Sequence, residues 1–149
     1  MDKKLSLVKY PREFTRYQRP FSEIKDFKAN EFRNFLYYLA PALLDEILEK
    51  EFYEHFLLYV TFIRILTQKK ISKEDIADSR ILIDYFLRSF KKYYGKENLT
   101  YKLHSHVHLP TQVENFGPLN EITCFPFEGS YYDLYCSIID FLFYITVYL

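Results

Sequence analysis

The chain has 149 residues, with twenty Lys and Arg against twenty Asp and Glu, three Gly, no Trp and 20% aromatic residues. That length suits one domain with a real core, and the zero formal net charge excludes a partner selected by bulk electrostatics. The two cysteines, Cys124 and Cys136, form neither a disulfide framework nor a metal pattern, so a reducing, intracellular compartment is expected.

Few glycines and many Leu, Ile, Phe, Glu and Lys favour helices over turn-rich β architecture. The expected fold is all-α, an irregular bundle of about five to seven helices behind an extended lead-in. Abundant Tyr adds large buried area and a demand for hydrogen-bond partners. Charge is unevenly spread. Residues 1–33 carry nine Lys/Arg against five Asp/Glu, whereas residues 103–149 carry no Lys or Arg and five acids. A basic front points weakly to an anionic partner, and a solvated surface is its plainer reading. The N-terminus (Asp2, Lys3, Lys4) lacks the apolar core of a secretory signal.

Residues 1–21, with Pro11 and Pro20, read as an extended lead-in. Ser22 is placed to cap a helix beginning near Glu23, whose carboxylate complements the dipole. Apolar residues at 32, 35, 36 and 39 give that helix one buried stripe. Pro41 is expected to limit it, because a proline pushes the preceding residue out of helical geometry, and then to start a short helix over 42–49. Phe52, Phe56, Val60 and Ile63 or Leu66 mark a buried helix over 50–67. Ser72 with Asp75 approximates a capping box. The helix it opens points Ile76, Ile83, Phe86, Leu87 and Phe90 inward and ends at Gly95. Residues 99–109 fit a strand by alternation or a helix ending before Pro110; the helix is preferred, since no other segment supplies a strand partner. Gly117-Pro118 is a loop signal. The domain is expected over 22–128, followed by an atypical apolar tail over 129–149.

His104, His106 and His108 are the most conspicuous chemical cluster. On a helix His104 and His108 lie at i, i+4, where two imidazoles share a metal. Ser105 stands where a zinc protease signature needs Glu, and no third ligand accompanies the pair; a structural, hydrogen-bonding role is the plainer reading. No phosphate loop, nucleophile elbow or Cys-x-x-Cys pair is present, and no small-molecule ligand is indicated.

Four islands recur in order: Arg16…Arg19-Pro20 leading into Phe27-Lys28-Ala29-Asn30-Glu31-Phe32-Arg33-Asn34-Phe35-Leu36-Tyr37-Tyr38; Tyr53-Glu54-His55-Phe56-Leu57-Leu58; Tyr93-Tyr94-Gly95 with Tyr101-Lys102-Leu103-His104-Ser105-His106-Val107-His108-Leu109-Pro110; and Phe116-Gly117-Pro118-Leu119 with Cys124-Phe125-Pro126-Phe127-Glu128. Together they resemble the C-terminal region of transposase-like proteins of animal genomes distantly related to the CACTA (En/Spm) transposases. The resemblance spans residues 10–128. Phe27 and Asn30 depart from the Trp and Thr usual in that family.

The resemblance implies DNA transposition chemistry, in which a trio of acids on an RNase-H-like core holds two divalent metals, Mg or Mn, that activate attacking and leaving oxygens. Glu31 is then the candidate third acid, and Lys28, Arg33, Arg16 and Arg19 the candidate nucleic-acid contacts. Glu31 also reads as a helix-surface residue paired with Lys28 at i−3. The family's other acids lie upstream of the matching region, so the resemblance implies a fragment that is inactive alone and takes no cofactor itself. Its implied partner is DNA, and its implied location the nucleus. After Phe127-Glu128 the family continues into a basic helix, whereas residues from Gly129 turn apolar; a translated intron or frameshift is expected there. Two other readings stand beside this one. Residues 131–149 are nearly long enough for a membrane anchor or an apolar protein contact, although Asp133 and Asp140 are costly at membrane depth. His104 and His108 suit a metal-binding protein.

Overall fold

Side-chain caps at Ser72 and Thr100 mark where two of the helices begin. The computed structural model describes residues 19–122 together with Leu5. The rest of the expected lead-in, Arg16, both cysteines and the expected apolar tail lie outside the described residues. Within them the chain is helix and turn, without a strand. Four continuous rods carry the fold, fewer than the sequence suggests. Rod α1 covers residues 29–44, as Ala29–Asn34, a π-helical turn Phe35–Leu39 and Ala40–Leu44. Rod α2 is Lys50–Leu66 and α3 is Lys73–Tyr94. Rod α4 covers residues 101–116, as Tyr101–Ser105, a 3₁₀ turn His106–His108 and Leu109–Phe116.

The first helix starts later than Ser22. Residues Phe21–Asp26 form a 3₁₀ segment with a kink at Glu23, and Lys28 holds the extended cap position of α1. Phe27 is responsible. Its ring is buried and lies 5.1 Å from that of Phe32, so the chain breaks at 27–28 to fold the ring inward.

Pro41 does not stop α1. The rod passes through it, with Ala40 at φ −58° and ψ −43°. The π turn explains why: the Ala40 N–H donates to Phe35 O, an i→i−5 bond that widens the turn ahead of the proline ring. Donors on α2 complete the joint. Arg64 Nη2 donates to Tyr37 O, and the Tyr53 hydroxyl donates to Pro41 O at 2.6 Å.

A short turn over 67–72 makes α2 and α3 an antiparallel hairpin, with Glu51 near the start of α2 meeting Lys92 near the end of α3 at 3.5 Å. The Ser72 capping box forms as the sequence indicates. Ser72 Oγ accepts from the Asp75 N–H at 3.1 Å, and Asp75 Oδ2 accepts from the Ser72 N–H at 2.8 Å. Gly95 ends α3 at φ +82°, a backbone that favours glycine.

Rod α4 is helix rather than strand, but it runs through Pro110 instead of ending before it. Because Pro110 has no N–H for His106 O, the Leu109 N–H takes that carbonyl instead, tightening His106–His108 into a 3₁₀ turn. After α4 the chain returns to α2: the Leu119 N–H donates to Leu66 O at 2.9 Å, and Asn120 Nδ2 to Thr67 O at 2.8 Å. These bonds satisfy carbonyls orphaned at the end of α2.

One hydrophobic core runs from Phe27 to Leu119, with Leu5 against it. The stripe at Phe32, Phe35, Leu36 and Leu39 is buried, as are Phe56, Val60, Ile63 and Leu66 on α2. All five inward residues expected on α3 are buried. Replacing Tyr53 by Phe removes the donor to Pro41 O while keeping the ring. We expect unfolding in urea to show a loss of about 1 kcal/mol with an unchanged m-value.

Candidate functional site

The residues singled out at the start of α1 meet, though not as a surface. Glu31 is 2% exposed. Its Oε1 accepts from Arg19 Nε at 2.9 Å, and its Oε2 accepts from Arg19 Nη2 at 2.7 Å and from the Lys28 N–H at 2.7 Å. Arg19 also donates to Asp26 O and lies over the Phe27 ring at 5.8 Å. The arrangement is a helix-capping carboxylate closed from outside by a guanidinium fork. Arg19 holds the Glu31 carboxyl below the usual glutamate range despite burial, with the Lys28 N–H adding to the effect. The surface pair with Lys28 is not what forms. Lys28 contributes its backbone N–H, and its own side chain is exposed.

The candidate nucleic-acid contacts separate. Arg19 is engaged by Glu31. Arg33 donates to Asn120 Oδ1 at 2.8 Å and sits over the Tyr37 ring at 5.7 Å. Both partners are uncharged, so these contacts leave its positive charge uncompensated.

A divalent metal does not fit the acid. Three donor contacts occupy the Glu31 oxygens, and a cation there would have to displace a guanidinium. Among the described residues no three His, Cys, Asp or Glu side chains lie close enough to hold a metal. His104 and His108 are both exposed, and the helix between them tightens into the 3₁₀ turn. The structure brings neither of them a third ligand among the described residues.

Two histidines are buried in the bundle: His55, to which the sequence reading gave no role, and His106, the middle member of the cluster it marked. His55 on α2 is 3% exposed and His106 on α4 is 2% exposed. His55 Nε2 donates to Phe86 O at 3.1 Å, with Ser89 Oγ at 3.0 Å. That fixes the tautomer, so Nδ1 accepts from the Tyr94 hydroxyl at 3.1 Å. The imidazole stacks on Phe86 with centroids 4.5 Å apart. His106 Nδ1 and the Tyr59 hydroxyl lie 3.2 Å apart. Burial pushes each imidazole down to about 4 and pushes the Tyr94 phenol up. A signal was available. His55 lies in register with Phe52 and Tyr59, and His106 with Leu103, Pro110 and Val113, so each stands on an apolar face.

These groups hydrogen-bond helices together, His55 tying α2 to α3 and His106 tying α4 to α2. No family model, curated protein or solved structure matches the chain.

The imidazoles make stability depend on pH. Each is lowered from 6.5 to about 4 on folding, so the unfolded chain binds more protons in that window. Their contribution is full above pH 6.5 and is lost as pH falls toward 4. Between pH 7 and pH 5 we expect each to account for on the order of 2 kcal/mol of lost stability. Glu31, whose folded-state pKa is lowered, contributes above its unfolded value and loses that contribution only at more acid pH. Urea unfolding at pH 7, 6 and 5 checks the first window, and His106→Phe should flatten the profile.

Proposed function

We propose that this chain is a transposase-derived helical module, without strand-transfer activity of its own, that retains electrostatic binding to nucleic acid. The observation that carries the reading is the state of Glu31. The acid at the position the resemblance singles out serves as a buried cap for α1, held by Arg19 and the Lys28 N–H. A carboxylate in that state has no coordination position to offer a metal, so two-metal chemistry has no foothold on it.

Uncompensated cations support the binding half. Lys28 is exposed. Among the described residues Arg33 and Arg64 contact only an amide, a ring and a carbonyl. Arg64 reaches from α2 to α1 and Arg33 from α1 to the loop after α4, and a phosphate backbone gains from either charge without displacing an ion pair. On this reading the chain works in the nucleus. The membrane-anchor alternative rests on residues 131–149, outside the described residues; among those described no helix is long and apolar enough to cross a membrane.

The test uses the full chain with labelled duplex DNA and with supercoiled plasmid. We expect affinity to fall linearly with salt on logarithmic axes, and Arg33→Glu to reduce that slope by about 1 or more. Plasmid should stay uncut in Mg²⁺ or Mn²⁺. Cleavage that Glu31→Gln abolishes would overturn the non-catalytic half, and salt-independent or absent binding the other.

A further inference from the structure

A second feature stands apart from the nucleic-acid reading and does not rest on it. The outer face of α3 carries two large apolar side chains that the core does not use. Ile81 is 67% exposed and Tyr85 61%, one turn apart on a helix whose other large apolar residues are buried or half-buried. Such a pair in mid-helix gains by being covered.

Charge along the same stripe identifies the cover. Glu74, Asp78, Ile81, Tyr85, Arg88 and Lys92 follow one another at alternating spacings of four and three, like the seam positions of a coiled coil. All six are exposed. Their order is acid, acid, apolar, apolar, base, base. Turned end over end about a point level with Ile83, the series matches itself: Ile81 falls opposite Tyr85, Asp78 opposite Arg88, and Glu74 opposite Lys92. A twofold, isologous contact has this property, because i meets j and j meets i. The helix dipole accounts for Glu74 and Lys92 at the ends. It does not account for an exposed apolar pair at the centre of symmetry, or for Asp78 and Arg88 beyond the first and last turns.

The other charges of α3 are balanced or set aside from this seam. Arg88 binds Asp84 through Nε at 2.8 Å, which neutralises the carboxylate flanking the axis and leaves both Nη groups for a second one. Lys92 also meets Glu51 at 3.5 Å, so the outermost layer, with one cation between two acids, adds least. Lys73, Asp75 and Lys91 lie about 100° round the helix from the centre of the stripe, and Arg80 about 120°. Arg80 is in any case bound to Glu114.

We infer that α3 pairs with α3 of a second copy of this chain, antiparallel, about a twofold axis level with Ile83. Ile81 and Tyr85 of the two copies cover one another at the axis. The two Asp78–Arg88 layers set direction and register, since exposed ion pairs orient a contact more than they stabilise it. A parallel pairing would place Asp78 against Asp78 and Arg88 against Arg88, and is disfavoured.

Sedimentation equilibrium of the full chain, without nucleic acid, tests this. We expect a monomer–dimer equilibrium with a Kd on the order of 100 μM, the weak class that so small a contact permits. Asp78→Arg and Arg88→Asp should each weaken association at least tenfold, because each sets like charges together in both layers. Mixing these two variants should restore association, as heterodimers, to within threefold of the unaltered chain. Carrying both changes in one chain should restore it equally. Ile81→Ser with Tyr85→Ser should weaken association at least tenfold at unchanged far-ultraviolet circular dichroism, since neither side chain belongs to the core. A chain that stays monomeric overturns the inference. Association that none of these changes alters belongs to another surface and overturns it too. Single charge variants that weaken association without rescue on mixing overturn the antiparallel register.

Discussion

The bundle depends on keeping His55 buried and neutral between α2 and α3. An imidazole removed from water requires partners for both nitrogens, and α3 supplies them from Phe86, Ser89 and Tyr94. Those partners fix the register of the hairpin. Sliding α3 by one turn would take the Tyr94 hydroxyl and the Phe86 carbonyl away together and orphan the ring. Apolar contact alone is more tolerant, since the aromatic surface of the hairpin would repack with little loss. The stacked Phe86 and nearby Tyr93 keep water from the ring. The polar contact therefore specifies the arrangement, while the surrounding aromatic rings supply most of the burial.

Two prolines raise the same difficulty elsewhere, and the chain answers in opposite directions. At Pro41 the helix loosens into a π turn, and Arg64 and Tyr53 reach across from α2 to the carbonyls around the joint. At Pro110 it tightens into a 3₁₀ turn, with Leu109 donating in place of the missing N–H. Neighbours decide which. α1 has long donors facing its joint, so exposing carbonyls there is harmless. The His106–His108 turn carries an imidazole that must face Tyr59, and the tighter turn aims it inward. Both joints link backbone chemistry to tertiary packing, and both make a proline the place where two rods are tied.

That is also where sequence reasoning reached its limit. Periodicity identified the buried faces of α1, α2 and α3, because burial of Phe32, Phe56 or Ile83 needs only a stripe and a core. The Ser72–Asp75 cap was legible because both partners lie within one turn. Pro41 misled because its local preference is to end a helix, and the groups that reverse this lie far along the chain at Tyr53 and Arg64. Ser22 misled for a related reason: burying Phe27 outweighed a good cap two residues after Pro20. Glu31 read as surface because its partner, Arg19, is twelve residues away. His55 was legible in principle, since a histidine within an apolar stripe is a buried polar group awaiting partners.

Glu31 shows why folding and metal chemistry compete at this position. A carboxylate that ligates a divalent ion must present oxygens to an accessible site and be steadied by outer partners. Here its two oxygens take two donors from Arg19 and one from the Lys28 N–H, and 2% exposure closes the remainder. Withdrawing Arg19 to admit a cation would leave the buried Glu31 carboxylate without its charged partner and the first turn of α1 without its clamp. Binding a metal would thus carry the cost of unpicking the helix start that Phe27 and Phe32 depend on. Contacts that need only charge at the surface, such as those we propose for Arg64 and the half-buried Arg33, carry no such cost. The nucleic-acid binding we propose is compatible with an intact fold in a way that metal ligation by Glu31 is not.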